Sequence, residues 1–242
     1  MPKVLPVFIA ALLSAAPALA QDHAREGAVG RIEIEDAGHC TAVLIAPDQV
    51  LTAAHCLFDA DTGARIPAQD IVFQAGFTNG RAYAYRQIRR IVIHPDHQPD
   101  TRASGAAARS RADLALLELY QPITPLAGIT PLPIASVIPL EGALNVIAYG
   151  TGPAGAHQTQ DECRRIAQDG GVYIFGCALQ VGGSGAPILA NRGGTPQIVA
   201  LVSAIGQMRG RDVVVGVNLP QQIGALRAAF DASASSGAEP RR

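Results

Sequence analysis

Three polar residues stand far apart in this sequence, each in or beside an apolar stretch. They are His55 in LTAAHC (51–56), Asp113 in RADLALLEL (111–119) and Ser184 in VGGSGAP (181–187). Their types fit one chemistry, the activation of a hydroxyl nucleophile. Serine is a poor nucleophile at neutral pH, so an imidazole must take its proton during attack. A carboxylate must then hold the ring in the right tautomer and stabilise the imidazolium. Each segment alone has a plainer reading. The serine loop reads as a surface turn, where Gly and Ser are common, His55 as an ordinary polar strand end, and Asp113 as a residue bonded to its own backbone. Burying a carboxylate at the head of an apolar run is costly without a donor, which argues for a partner to Asp113.

The glycines around Ser184 suit the same chemistry. Attack on a carbonyl creates an oxyanion that needs two convergent N–H donors. Gly182, Gly183 and Gly185 lack Cβ, so the loop can fold tightly and let a substrate come close. The amides of Gly182 and Ser184 are the expected oxyanion hole. Chain order narrows the scaffold. An α/β-hydrolase needs Ser, then the acid, then His, but no histidine follows Ser184, the last being His157. Ala186 also breaks a G-x-S-x-G pattern. The order His, Asp, Ser is the one used by double-β-barrel peptidases.

Those residues must be positioned by short strands. GRIEIE, CTAVLIA, QVLTAAH, DIVFQAG, RRIVIHP and DLALLELY fill the first half of the chain, and NVIAYG, GVYIFG, APILAN, QIVALVSAIG and DVVVGVNLP the second. Brief β-branched runs between Gly, Pro, Asp and Asn predict an all-β barrel or sandwich. The stretch 121–139, rich in proline, divides the sets as an extended connector. Helical spacing is confined to LPQQIGALRAAFD (219–231), with Ile223, Leu226, Ala229 and Phe230 on one side. The expectation is two β-barrels, at 21–120 and 140–231, with a C-terminal helix. The tail 232–242 is small and polar and is expected to be disordered.

With 48% apolar residues in 242, the chain can bury a sizeable core. Its net charge of −1 gives no basic excess for nucleic acid and no acidic tail. Residues 1–20 combine a positive start, an apolar run and Ala18-Leu19-Ala20 before Gln21, the pattern of a cleaved export signal. Residues 1–20 are therefore excluded from the fold, and the mature chain is expected to be secreted or periplasmic, off the membrane and monomeric. In an oxidising compartment the four cysteines favour disulfides. Three pairings are open, and the local pairs Cys40–Cys56 and Cys163–Cys177 are expected. Each would close a loop of about 15 residues, worth on the order of 3 kcal/mol.

LTAAHC, DLALLEL and GGSGAP together resemble the three active-site blocks of the trypsin/chymotrypsin-like serine peptidases, in an exported bacterial-type branch. The resemblance spans roughly Gly27 to Asp231. It implies an all-β fold of two six-stranded antiparallel β-barrels with a C-terminal helix, a polypeptide substrate, no cofactor and no metal, with His55 as general base, Asp113 as its orienting acid and Ser184 as nucleophile. It also implies that Cys40–Cys56 clasps the histidine loop, and that IHPDH (93–97) leads into a variable loop before the aspartate.

Departures from the family are informative. Animal trypsins carry an aspartate just before the serine that pairs with a freshly cut N-terminal amine; here Gly183 stands there, so activation is expected not to need that pair. Where trypsin has its specificity aspartate stands Ala178. LVSAIG (201–206) resembles the substrate-pairing strand, with Ser203, Ala204 and Ile205 near the pocket wall and Gly216 on its far side. A small or medium apolar side chain is the expected fit.

The same residues admit two rival readings. His39, Cys40, His55 and Cys56 form a zinc set by type, but adjacent strand residues face opposite ways, and an oxidising compartment disfavours free thiols. A catalytically inactive binding or regulatory protein on the same scaffold is the other. His23, His94, His97 and His157 are expected to be exposed loop residues without a role, and Arg86, Arg89 and Arg90 a solvated strand face.

Overall fold

Period-two burial converts the short apolar runs into barrel staves. In β1 (Val29–Ile34), Ile32 and Ile34 point inward while Arg31 and Glu33 lie at the surface side. The computed structural model describes residues 27–35, 38–98, 106–124, 129–139, 141–150 and 156–236. The first barrel adds β2 (Gly38–Ala46), β3 (Gln49–Thr52), β4 (Ile71–Ala75), β5 (Ala84–Ile93) and β6 (Ala115–Leu119). These close in the order β1-β2-β3-β6-β5-β4. Phe73, Leu44, Leu51, Ile88 and Leu117 fill it.

The second barrel comprises β7 (Leu144–Tyr149), β8 (His157–Asp169), β9 (Val172–Gly176), β10 (Pro187–Arg192), β11 (Thr195–Met208) and β12 (Arg211–Asn218). It closes as β10-β11-β12-β9-β8-β7, and the pairings in both barrels are antiparallel. The architecture is therefore two closed six-stranded barrels with a C-terminal helix, as expected. Strand β8 had no counterpart among the apolar runs. Its sequence, HQTQDECRRIAQD, is polar and only Cys163 is buried in it, so hydrophobic periodicity is absent.

The connector is tied to both barrels by its backbone. The Ile123 amide donates to the Pro47 carbonyl and the Leu132 amide to Leu44, while on the second-barrel side the Ala135 amide donates to the Ile198 carbonyl and the Ile198 amide to the Pro133 carbonyl. The terminal helix runs from Leu219 to Ser236, so the first residues of the expected tail are helical. Leu226 and Phe230 are buried, and Ile223 and Ala229 pack against the core. Burying a side chain such as Phe230 contributes about 2 kcal/mol. Arg90 fixes the helix further. Its guanidinium bonds the Phe230 carbonyl at 2.9 Å and Ser233 Oγ at 2.6 Å, and lies 4.0 Å from the Phe230 ring centroid.

Arg86 likewise bonds the carbonyls of Gln121 and Tyr85, and Arg89 and Arg90 pair with Glu118. The arginine group expected as a solvated face is thus partly structural. Among the described residues no helix is long and apolar enough to cross a membrane. The leader 1–20, His23 and residues 237–242 lie outside the described residues.

Candidate active site

Strand β3 ends at Thr52, and the buried small residues Ala53 and Ala54 turn the chain into a 3-10 helix, Ala54–Leu57. His55 sits in that turn and presents its side chain half-exposed. The Cys40–Cys56 disulfide ties the turn to β2. Both expected local disulfides are present. The two sulfurs of the suggested zinc set are bonded to each other, so neither offers a thiolate.

Asp113 follows the short helix Ala106–Ser110 and precedes β6, with its side chain 4% exposed. Three donors reach it. The His55 backbone N–H bonds Oδ1 at 2.8 Å, His55 Nδ1 faces Oδ2 at 2.7 Å, and Ser203 Oγ donates to Oδ2 at 2.6 Å. Burial works against the charged carboxylate. The hydrogen bond and charge of His55, with the Ser203 hydroxyl, outweigh it and hold Asp113 below the ordinary carboxylate value. Burial also favours a neutral His55. Its bond to Asp113 and that carboxylate's charge prevail and raise its pKa above 6.5. A carboxylate only accepts, so Nδ1 carries the ring proton and Nε2 is left as the acceptor.

Ser184 lies in the loop between β9 and β10, within two successive tight turns. Gly183 N–H bonds the Gln180 carbonyl at 3.1 Å and Ala186 N–H the Gly183 carbonyl at 3.0 Å. The glycines at 182 and 185 answer to both conformation and space. Their φ angles are +98° and +79°. A Cβ on Gly182 would lie 2.6 Å from the Tyr149 carbonyl oxygen. One on Gly185 would lie 2.2 Å from the Thr41 oxygen and 3.0 Å from the Ala53 nitrogen, two residues before His55.

The serine loop is thus pressed against the strand end that leads to the histidine. Among the described residues, no hydrogen bond joins Ser184 Oγ to the His55 ring, and the amides of Gly182 and Ser184 donate none. The structure brings His55 and Asp113 into direct contact; Ser184 adjoins them through Gly185 and β2.

A trypsin-like peptidase domain model matches residues 40–200, two thirds of the chain. This chain belongs to the trypsin-like peptidase family. A stretch of 114 residues is 31% identical to ovochymase of Halocynthia roretzi, covering 47% of this chain but 7% of that protein. The chain therefore spans a small fraction of that relative's length. The fold is similar to the crystal structure of the thermostable serine protease AL20 from an extremophilic microorganism. That similarity has a TM-score of 0.65 at 18% identity, covering 86% of this chain and 99% of that one.

Around His55 and Ser184, the expected pocket residues are placed unequally. Ala178 and Ile205 are exposed, Ala204 is half-buried, and Ser203 gives its hydroxyl to Asp113. Gly216 is buried in β12, where a Cβ would meet the Phe175 ring at 2.8 Å and Ile188 at 3.2 Å. It packs inside the second barrel rather than lining a cleft. A cavity of about 470 Å³ opens beside His55, lined by Phe58, His97, Arg109, Asp113, Ser203 and Ala204.

The histidines also differ from expectation. His94 is 2% exposed, and its Nδ1 accepts the Asp96 N–H at 3.2 Å. His157 is half-buried at the start of β8, edge-on to Tyr149. The His97 side chain is buried against the Phe58 ring, with Nδ1 3.9 Å from Asp113 Oδ1. Its burial lowers its pKa despite that carboxylate. Sequence reasoning missed Ser203 as a partner of Asp113 and His97 as its neighbour. The available signals were a lone hydroxyl in the apolar run LVSAIG and a second histidine in IHPDH.

Proposed function

We propose that this chain is an exported serine endopeptidase that cleaves polypeptides through an acyl-enzyme on Ser184. One observation carries the reading: Asp113 is bonded by both the backbone N–H and Nδ1 of His55, which leaves His55 Nε2 as a base. In the proposed cycle Ser184 Oγ attacks the peptide carbonyl carbon while its proton passes to Nε2. The resulting oxyanion is met by the amides of Gly182 and Ser184. The imidazolium, opposite the charged Asp113, then protonates the leaving nitrogen as the C–N bond breaks. Water, deprotonated by His55, hydrolyses the ester and restores the hydroxyl.

The missing Ser184–His55 bond favours the second reading, an inactive binding protein. Such bonds are often long without substrate and tighten in the complex, which is how the enzyme reading accounts for it. The discriminating experiment is labelling of the folded protein with a fluorophosphonate, followed by mass-spectrometric location of the adduct. An adduct on Ser184, lost in Ser184→Ala together with peptide hydrolysis, supports the enzyme. Inertness of well-folded protein supports the binder.

Export and a monomeric state are part of the same proposal; two disulfides suit an oxidising compartment. Ala178 offers no charge to a basic side chain, so a small or medium apolar residue is proposed before the cleaved bond. A peptide-library profile dominated by Arg, Lys or Glu there would overturn that preference.

A further inference from the structure

Thr41 of β2 is completely buried and touches the serine loop at two points. Its backbone N–H donates to the Ser184 carbonyl at 2.9 Å, and its hydroxyl donates to the Gly182 carbonyl at 2.9 Å. The same hydroxyl accepts the Tyr149 N–H at 2.9 Å. One bond given and one received fix the hydroxyl's orientation. The Thr41 carbonyl in turn accepts the Thr52 hydroxyl at 2.8 Å, which anchors it to β3.

The Gly182 carbonyl belongs to the peptide unit between Gly182 and Gly183, which separates the two amides assigned to the oxyanion. Peptide planarity means that holding this oxygen orients the whole unit. Rotation there would turn the amides of Gly182 and Ser184 away from a common point. Neither glycine has a side chain to resist such rotation; within the loop the Gly183 N–H is held by the Gln180 carbonyl at 3.1 Å, and the carbonyl edge of the unit is held from outside by the Thr41 hydroxyl.

Resting on the reading of Ser184 as nucleophile, we propose that the Thr41 hydroxyl is a positioning residue for the oxyanion hole, locking the Gly182–Gly183 peptide from the barrel that carries His55. Thr41 touches no reacting atom. It acts by setting where two amides point, an interaction worth more to the charged transition state than to bound substrate.

The test compares Thr41→Val, which removes the hydroxyl at similar shape, with Thr41→Ser, which keeps it, both measured per folded molecule. Thr41→Val is expected to lower kcat about 10- to 100-fold with KM within about threefold, since mispositioning near 1 Å has effects of that order. Thr41→Ser is expected to stay within about threefold of wild type, a factor well below a single oxyanion donor's worth. Affinity for a peptide boronic acid, which forms the anionic tetrahedral adduct, should fall with kcat, while affinity for the matching uncharged peptide should not.

Wild-type kcat in Thr41→Val, equal losses for both ligands, or equal impairment of the serine variant would overturn the proposal. If Thr41→Val does not fold, Thr41→Ala takes its place. Failure of both while Thr41→Ser folds would assign the hydroxyl to stability alone and also overturn it. Wild-type protein inert to fluorophosphonate would instead overturn the reading of Ser184, before any Thr41 variant is compared.

Discussion

Ser203 donates its hydroxyl to Asp113 Oδ2 at 2.6 Å, the same oxygen that His55 Nδ1 approaches at 2.7 Å. Strand β11 of the second barrel thereby completes the surroundings of a carboxylate carried by the first. Removing the hydroxyl in Ser203→Ala leaves that buried charge one donor short. A hydrogen bond to a charged group contributes about 2 kcal/mol, so a loss of that order is expected in urea unfolding. A fall in kcat of about tenfold accompanies it, corresponding to 1.4 kcal/mol of barrel-site distortion at most. Asp113→Asn is expected to cost far more, on the order of 10⁴-fold, through the wrong tautomer of His55. Equal effects from the two variants would show that Ser203 does more than support the carboxylate.

Stability and activity should respond to pH in opposite directions around His55. Its pKa is raised above 6.5, so its contribution to stability is full below 6.5 and is lost as pH climbs through the raised value. Asp113 is depressed below 3.8, so its contribution is present above 3.8 and is lost as pH falls through the depressed value. The pair therefore stabilises most between those limits. Hydrolysis needs His55 neutral, so kcat/KM is expected to rise with an acid limb centred above 6.5. Rate profiles across about pH 5 to 9 and urea midpoints across about pH 2 to 9 check both. An acid limb below that value would contradict the arrangement.

Gly185 and Gly210 have nearly the same φ, +79° and +75°, but different surroundings. A Cβ on Gly210 meets nothing within 4 Å, whereas one on Gly185 would collide with Thr41 and Thr52. Gly210→Ala should lose only the conformational cost, about 1 kcal/mol. Gly185→Ala should lose several times that and abolish fluorophosphonate labelling, because the loop cannot stay against β2. Thermal unfolding of the two variants separates close approach from backbone strain, and equal losses would remove the argument from space.

Gly183 offers no carboxylate to a buried N-terminal amine. Protein beginning at Gln21 and protein trimmed near Arg25 are therefore expected to label with fluorophosphonate at equal rates. A large increase on trimming would show that another group receives the new terminus.

Local chemistry was legible in the order of residues. Period-two apolar runs declared the barrels, the spacing of Leu226 and Phe230 declared the helix face, and LTAAHC, DLALLEL and GGSGAP marked the residues to examine. Each of these signals is short-range, because strand, helix and glycine-turn preferences are carried by near neighbours. What depended on distant segments was not legible. Strand β8 is held by its neighbours in the barrel rather than by apolar residues of its own, so no periodicity announced it. Gly216 turned inward because barrel closure, not local pattern, sets which face of each stave meets what, and His97 reaches Asp113 from the turn after β5 only because the chain folds back beside β6. The bonds from Ser203 to Asp113 and from Thr41 to Gly182 join residues 90 and 141 positions apart. Such pairings exist only once two barrels pack together, since a hydroxyl in an apolar strand says that it needs a partner but not which one.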